Sequence, residues 1–132
     1  MRGQALAGAV AAFAIGCLMS VLVASTGALS GSMLAILALT LPLLLGGVLY
    51  GWLLDTGRMR AGFGPGILFW IAAFPLARFA QELLVGTDDS GLADGLGPFF
   101  LYQALVGGAF GLGFFLLHAQ IWGVMSRREE SG

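Results

Sequence analysis

The sequence predicts an all-α integral membrane protein: a four-transmembrane-helix bundle with both termini in the cytoplasm. The chain is 58% hydrophobic and only 10% charged, whereas a soluble domain is about one quarter charged. No charged residue occurs between Gly3 and Leu54, a run too long for one bilayer span of about 20 residues and suited to two. In a four-span arrangement, the arginines outside the spans all fall on one side of the membrane, which sets the orientation.

Apolar segments separated by small polar or glycine-rich stretches define the predicted helices of a single membrane domain, 1–132. Their approximate bounds are 4–24, 33–54, 65–84 and 98–124. The first two are separated by a turn rich in serine and glycine, and Pro65 lies in the first turn of the third. The segments are continuously apolar rather than alternating, which is typical of membrane helices and not of barrel strands.

The loops and termini divide by charge. The positively charged side holds Arg2, Arg58, Arg60, Arg127 and Arg128, and the loop at about 85–97 on the other side holds Asp88, Asp89 and Asp94. The positive-inside rule therefore predicts cytoplasmic termini and a multi-pass protein of the bacterial inner membrane. A solvated acidic outer loop is expected rather than a calcium site, because the twelve-residue ligand spacing and terminal glutamate are missing.

Small residues recur at helical spacing in three of the predicted helices. They form a candidate helix-packing face made of Gly8, Ala12, Gly16, Ser20, Ala24, Gly47, Gly51, Gly107 and Gly111. Such residues let membrane helices approach closely, and packing contributes much of helix association in lipid. Two interpretations stay open. The face packs the bundle internally, or one ridge, that of the first helix above all, docks a helix of a partner protein.

A polar group interrupts the apolar third helix. Arg78 and Glu82 lie four residues apart, so they share a helix face and can neutralise each other. Counting along the fourth helix places Gln103 at a similar depth, where it could accept a hydrogen bond from Arg78. A charge at this depth rarely faces lipid. The group is therefore a structural staple of the bundle, a contact to a partner protein, or a site for a lipid headgroup or substrate, since arginine suits phosphate.

His118 near the inner end of the fourth helix is the remaining polar candidate. We expect a hydrogen-bonded interface residue, the alternative being a proton relay or ligand. Cys17 and His118 lie at different depths and are too few for a metal site, and His118 has no acid beside it on its own helix for a catalytic triad. The sequence therefore predicts no enzyme and no cofactor, and the net charge of −1 gives no basic surface for nucleic acid.

In size and composition the chain is similar to small accessory subunits of larger bacterial membrane complexes. The expected function is a non-enzymatic accessory or stabilising subunit of a larger inner-membrane complex, such as a lipid transporter or respiratory assembly. It would lie among lipids and dock through its small-residue helix faces. The alternative is a small homo-oligomeric transporter or lipid-handling protein with a polar path at Arg78 and Glu82.

Overall fold

The structure, a computed structural model, describes the backbone of residues 3–25, 30–85 and 95–132, and within these ranges the side chains outside 19–25, 30–33, 35–36 and 85. This part of the chain contains four helices and no strand, so the all-α prediction is confirmed. The helices are α1 (Gly3–Ser25), α2 (Ser30–Asp55), α3 (Phe63–Val85) and α4 (Leu96–Ser131). The predicted acidic loop falls largely on 86–94, outside the described residues.

Helix α4 extends to Ser131, whereas the predicted helix ended at 124. The prediction ended the helix where its apolar run ended, but Arg and Glu are also good helix formers once the chain leaves lipid. The Ser126 hydroxyl and the Arg127 Nε both donate hydrogen bonds to the Gly123 carbonyl oxygen, at 3.3 and 3.0 Å. These bonds support the polar last turns.

The four helices pack as a ring of antiparallel neighbours. Helix α1 packs along α2, α2 along α3, α3 along α4, and α4 returns to α1. In the described ranges the diagonal pairs, α1 with α3 and α2 with α4, have no Cα atoms within 8 Å of each other. The ring brings together the start of α1, the end of α2, the start of α3 and the end of α4. We call this the arginine end, because it carries Arg58, Arg60, Arg127 and Arg128; the other is the opposite end.

The core is aromatic and lies between α2, α3 and α4. Its largest fully buried side chains are Trp70, Tyr50, Phe114 and Leu43. The rings meet at steep angles, with centroids 5.1 Å apart for Tyr50 and Phe114 and 4.7 Å apart for Trp70 and Phe110, an arrangement that aromatic quadrupoles favour. Among the described side chains of α1, 3–18, the buried apolar residues are all small: Ala7, Ala11 and Ala12. Large aromatic side chains therefore fill the space between α2, α3 and α4, whereas the backbones of α1 and α2 pack closely against each other.

Two helices continue through a proline, Pro42 in α2 and Pro75 in α3. A proline supplies no backbone donor, so the carbonyl four residues earlier loses its usual partner. Membrane helices tolerate this where neighbouring helices and side chains surround the freed group. Pro75 is buried among the packed helices.

The outer surface is apolar on every side. Each helix exposes large hydrophobic side chains, among them Leu6, Leu45, Leu68 and Leu105, and soluble monomers rarely expose continuous apolar surface on this scale. Three segments are long and apolar enough to cross a membrane: Leu37–Asp55, Phe63–Leu84 and Leu96–Ser131. The described apolar part of α1, Gly3–Leu18, is shorter. These features are those of a membrane protein.

Candidate functional site

The small residues of α1 and α2 face each other. A Cβ atom built on Gly8 would meet the Gly47 carbonyl oxygen, and one on Gly47 would meet the Gly8 carbonyl oxygen and, at 3.0 Å, the Ala12 side chain. A Cβ atom on Gly51 would meet the Gln4 backbone, and Gly16 faces Thr40. The two backbones therefore approach as closely as glycine permits. Ser20 and Ala24 lie outside the described side chains.

The small residues of α4 face α3. A Cβ atom on Gly107 would meet the Trp70 carbonyl oxygen, and one on Gly111 would lie 3.0 Å from the Trp70 Cβ and 3.2 Å from the Ile67 Cα. In the described part of the chain, the predicted packing face thus lies inside the bundle on all three helices. A docked partner helix would have to contact other surfaces.

The polar group of α3 forms an ion pair. Arg78 Nη2 donates to Glu82 Oε1 at 2.8 Å, and the two side chains are 22% and 6% exposed. The spacing of four residues on one helix explains the contact. Partial burial strengthens the attraction between the charges, because the effective dielectric is lower than in water.

Beside this pair lies a cavity of about 360 Å³ near the opposite end, which we call the Arg78 cavity. It is lined by Leu39 of α2, Phe74, Arg78 and Gln81 of α3, and Tyr102, Gln103 and Val106 of α4. Gln103 is only 7% exposed, and its amide forms no hydrogen bond within the described residues. The expected bond from Arg78 to Gln103 is therefore not formed, although both side chains line the same cavity.

A second polar cluster lies at the arginine end. Two of its members, Gln4 and His118, are 114 residues apart in the sequence. His118 Nε2 lies 3.3 Å from the Gln4 carbonyl oxygen, and the His118 ring meets the Tyr50 ring edge-on at 5.1 Å. Because a carbonyl can only accept, this contact is a hydrogen bond when Nε2 carries the proton. His118 is buried and holds α4 against the first turn of α1.

Asp55, the last residue of α2, belongs to the same cluster. Its Oδ2 accepts a hydrogen bond from the Ala5 backbone N–H at 3.3 Å. Ala5 lies in the first turn of α1, where N–H groups have no partner within the helix. A carboxylate there also interacts favourably with the helix dipole. Asp55 thus caps α1 from the neighbouring helix.

Sequence reasoning missed Gln4, Tyr50 and Asp55 as neighbours of His118. A signal for Asp55 was present, since it is the first charged residue after the long apolar run and ends a helix antiparallel to α1. The contacts of Tyr50 and Gln4 depend on the rotation of each helix about its axis, and no pattern in the sequence reports that rotation.

The described residues hold no group of three or more histidine, cysteine or acidic side chains placed to bind a metal ion. Cys17 is exposed on α1, whereas His118 is buried between α1 and α4, so the structure does not bring them together. Comparison of the chain with protein-family models, with curated proteins and with solved structures gives no match.

Proposed function

We propose that the chain is an integral protein of the bacterial inner membrane that crosses the bilayer four times, with both termini in the cytoplasm. In this proposal it acts as a non-enzymatic accessory or stabilising subunit of a larger membrane complex. Exposed apolar side chains on all four helices support the membrane setting, because lipid solvates them without cost. The close antiparallel packing of α1 on α2 supports a crossing by α1 as well.

The charge distribution supports the orientation. Arg58 and Arg60 lie between α2 and α3, and Arg127 and Arg128 lie in the last turns of α4, so all four flank the arginine end. Arg58 also lies over the Trp52 ring, 4.7 Å from its centroid. Basic and aromatic residues together are typical of the cytoplasmic boundary of a membrane protein.

The observation that carries the subunit role is a shallow, mostly apolar groove along α4 at the arginine end. Leu117, Ile121, Val124 and Met125, with Gln120, line a shallow groove of about 310 Å³. The four apolar residues follow the i, i+4, i+7, i+8 spacing of one helix face. Such a face fits an apolar helix of another membrane protein, and the charged turns that follow it offer polar contacts at the rim. We therefore place the docking surface on this face, which we call the α4 groove.

Affinity purification of the tagged protein from its native membranes in mild detergent tests the proposal. We expect a second membrane protein at fixed stoichiometry. The double variant Val124→Ala/Met125→Ala, which shortens the α4 groove without touching the core, should retain about tenfold less of it, because the truncated side chains lose about 1.4 kcal/mol of van der Waals packing against the partner helix.

The matched control is Leu45→Ala/Leu68→Ala, which removes two exposed side chains on α2 and α3. It should copurify with the partner as the unmodified protein does. Recovery of this chain alone, at the mass of a monomer, would contradict the proposal. So would equal loss of the partner in both double variants.

A further inference from the structure

We propose that the Arg78 cavity binds the headgroup of a zwitterionic phospholipid, one that carries both a phosphate diester and an ammonium group. The cavity volume of about 360 Å³ lies within the roughly 300–1,000 Å³ of small-molecule sites. This site is separate from the α4 groove, and the inference does not depend on a partner complex.

The polar side chains of the cavity retain donors for a ligand. Gln103 lines the cavity, and its amide forms no hydrogen bond within the described residues, so both of its N–H groups can donate to a ligand. The Arg78 guanidinium has five N–H donors, of which its bond to Glu82 uses one on Nη2. Phosphate oxygens accept from such planar donors, which is why arginine is favoured in phosphate sites.

The lining changes from polar to apolar along the helix axes. On α3, Phe74 precedes Arg78 by one turn, about 6 Å nearer the middle of the bundle at 1.5 Å per residue. On α4, Val106 follows Gln103 by three residues in the same direction, and Leu39 of α2 adds an apolar wall. A lipid whose headgroup lies at the opposite end and whose chains point toward the middle matches this order. A free phosphate ion would leave the apolar part unused.

The net charge of the site indicates which headgroup fits. Arg78 and Glu82 form a pair whose charges cancel, and unbalanced charge at low dielectric is costly. A headgroup with a phosphate and an ammonium adds no net charge, whereas an anionic headgroup leaves the site negative. Glu82 is not among the residues that line the cavity, so it acts on the headgroup through its charge one turn from Arg78 rather than through a direct contact.

Native mass spectrometry of the delipidated protein in mild detergent tests the inference. Five probes are compared: phosphatidylethanolamine, phosphatidylglycerol, diacylglycerol, phosphoethanolamine without acyl chains, and inorganic phosphate. We expect one retained phosphatidylethanolamine and about tenfold weaker retention of phosphatidylglycerol, the size of one lost charge-assisted hydrogen bond. The other probes should show no retention at the same concentration.

Gln103→Leu should weaken phosphatidylethanolamine retention about tenfold, and Leu105→Ala, at an exposed residue of α4 that does not line the cavity, should leave it unchanged. Arg78→Lys keeps the charge beside Glu82 but removes the planar guanidinium group, so it should also weaken retention. If Gln103→Leu loses helicity, Arg78→Lys takes its place as the deciding variant. Glu82→Gln should abolish the preference for phosphatidylethanolamine over phosphatidylglycerol.

Equal retention of diacylglycerol and phosphatidylethanolamine would overturn the inference, as would unchanged retention in both Gln103→Leu and Arg78→Lys. Tighter retention of phosphatidylglycerol would overturn the zwitterionic assignment. Binding of phosphoethanolamine or inorganic phosphate as tight as that of the lipid would show that the site recognises a soluble phosphate instead.

Discussion

At the scale of single residues, the effect of the Arg78–Glu82 ion pair on stability depends on how deeply the two side chains are buried. Glu82 is 6% exposed and its carboxylate contacts Arg78 at 2.8 Å. Removing one member of a buried pair leaves the other charge uncompensated, whereas replacing both with apolar residues is often neutral or stabilising. The pair therefore adds little net stability. Its main effect is to limit which single substitutions α3 tolerates at these two positions.

We expect Arg78→Leu to lower the free energy of unfolding by about 2 kcal/mol, because Glu82 then remains buried without its cation. The double variant Arg78→Leu/Glu82→Leu should recover most of that loss. Unfolding in mixed detergent micelles, followed by tryptophan fluorescence, to which the buried Trp70 contributes, measures both. A double variant less stable than Arg78→Leu would show that the polar groups themselves stabilise the bundle.

At the scale of helices, the contact between α1 and α2 determines how closely the bundle packs. The Gly8 and Gly47 backbones touch each other's carbonyl oxygens, so neither side can yield by a rotamer change. A side chain added there has to separate two helix backbones, and overpacking of this kind costs about 1–3 kcal/mol. The free-energy cost of adding a side chain is thus concentrated at a few of the small residues.

Gly8→Ala should destabilise the protein by about 2 kcal/mol, because its new Cβ meets the Gly47 carbonyl. The matched change Gly113→Ala, on α4 where a Cβ meets nothing within 4 Å, should leave stability unchanged or raise it by at most about 1 kcal/mol. The same micelle unfolding measurement compares them. Equal effects of the two substitutions would contradict the close packing of α1 on α2.

Sequence patterns predicted the helices better than they predicted the contacts between them. Long apolar runs indicate helical segments because lipid leaves backbone groups no other partner, and the four-residue spacing of Gly8, Ala12 and Gly16 indicates a common face. Neither pattern says which helix that face meets. The arrangement of Asp55 over the start of α1 needed the structure for the same reason, and so did the Arg78 cavity, which forms only where three helices converge.

At the scale of the whole molecule, we propose that the bundle stands in lipid with its arginine end in the cytoplasm. The apolar surface on every side and the arginines at one end agree with that placement. The α4 groove then opens near the cytoplasmic boundary, and the Arg78 cavity lies in the outer half of the membrane. The proposed partner and the proposed lipid therefore bind in opposite halves of the bilayer.

Cysteine labelling in intact cells with a membrane-impermeant maleimide tests this placement most directly. In a Cys17→Ser background, Gly97→Cys at the start of α4 and Ser131→Cys at its end are both exposed positions. We expect Gly97→Cys to react in intact cells and Ser131→Cys to react only after the membrane is permeabilised. Labelling of Ser131→Cys in intact cells, with Gly97→Cys protected until permeabilisation, would contradict it.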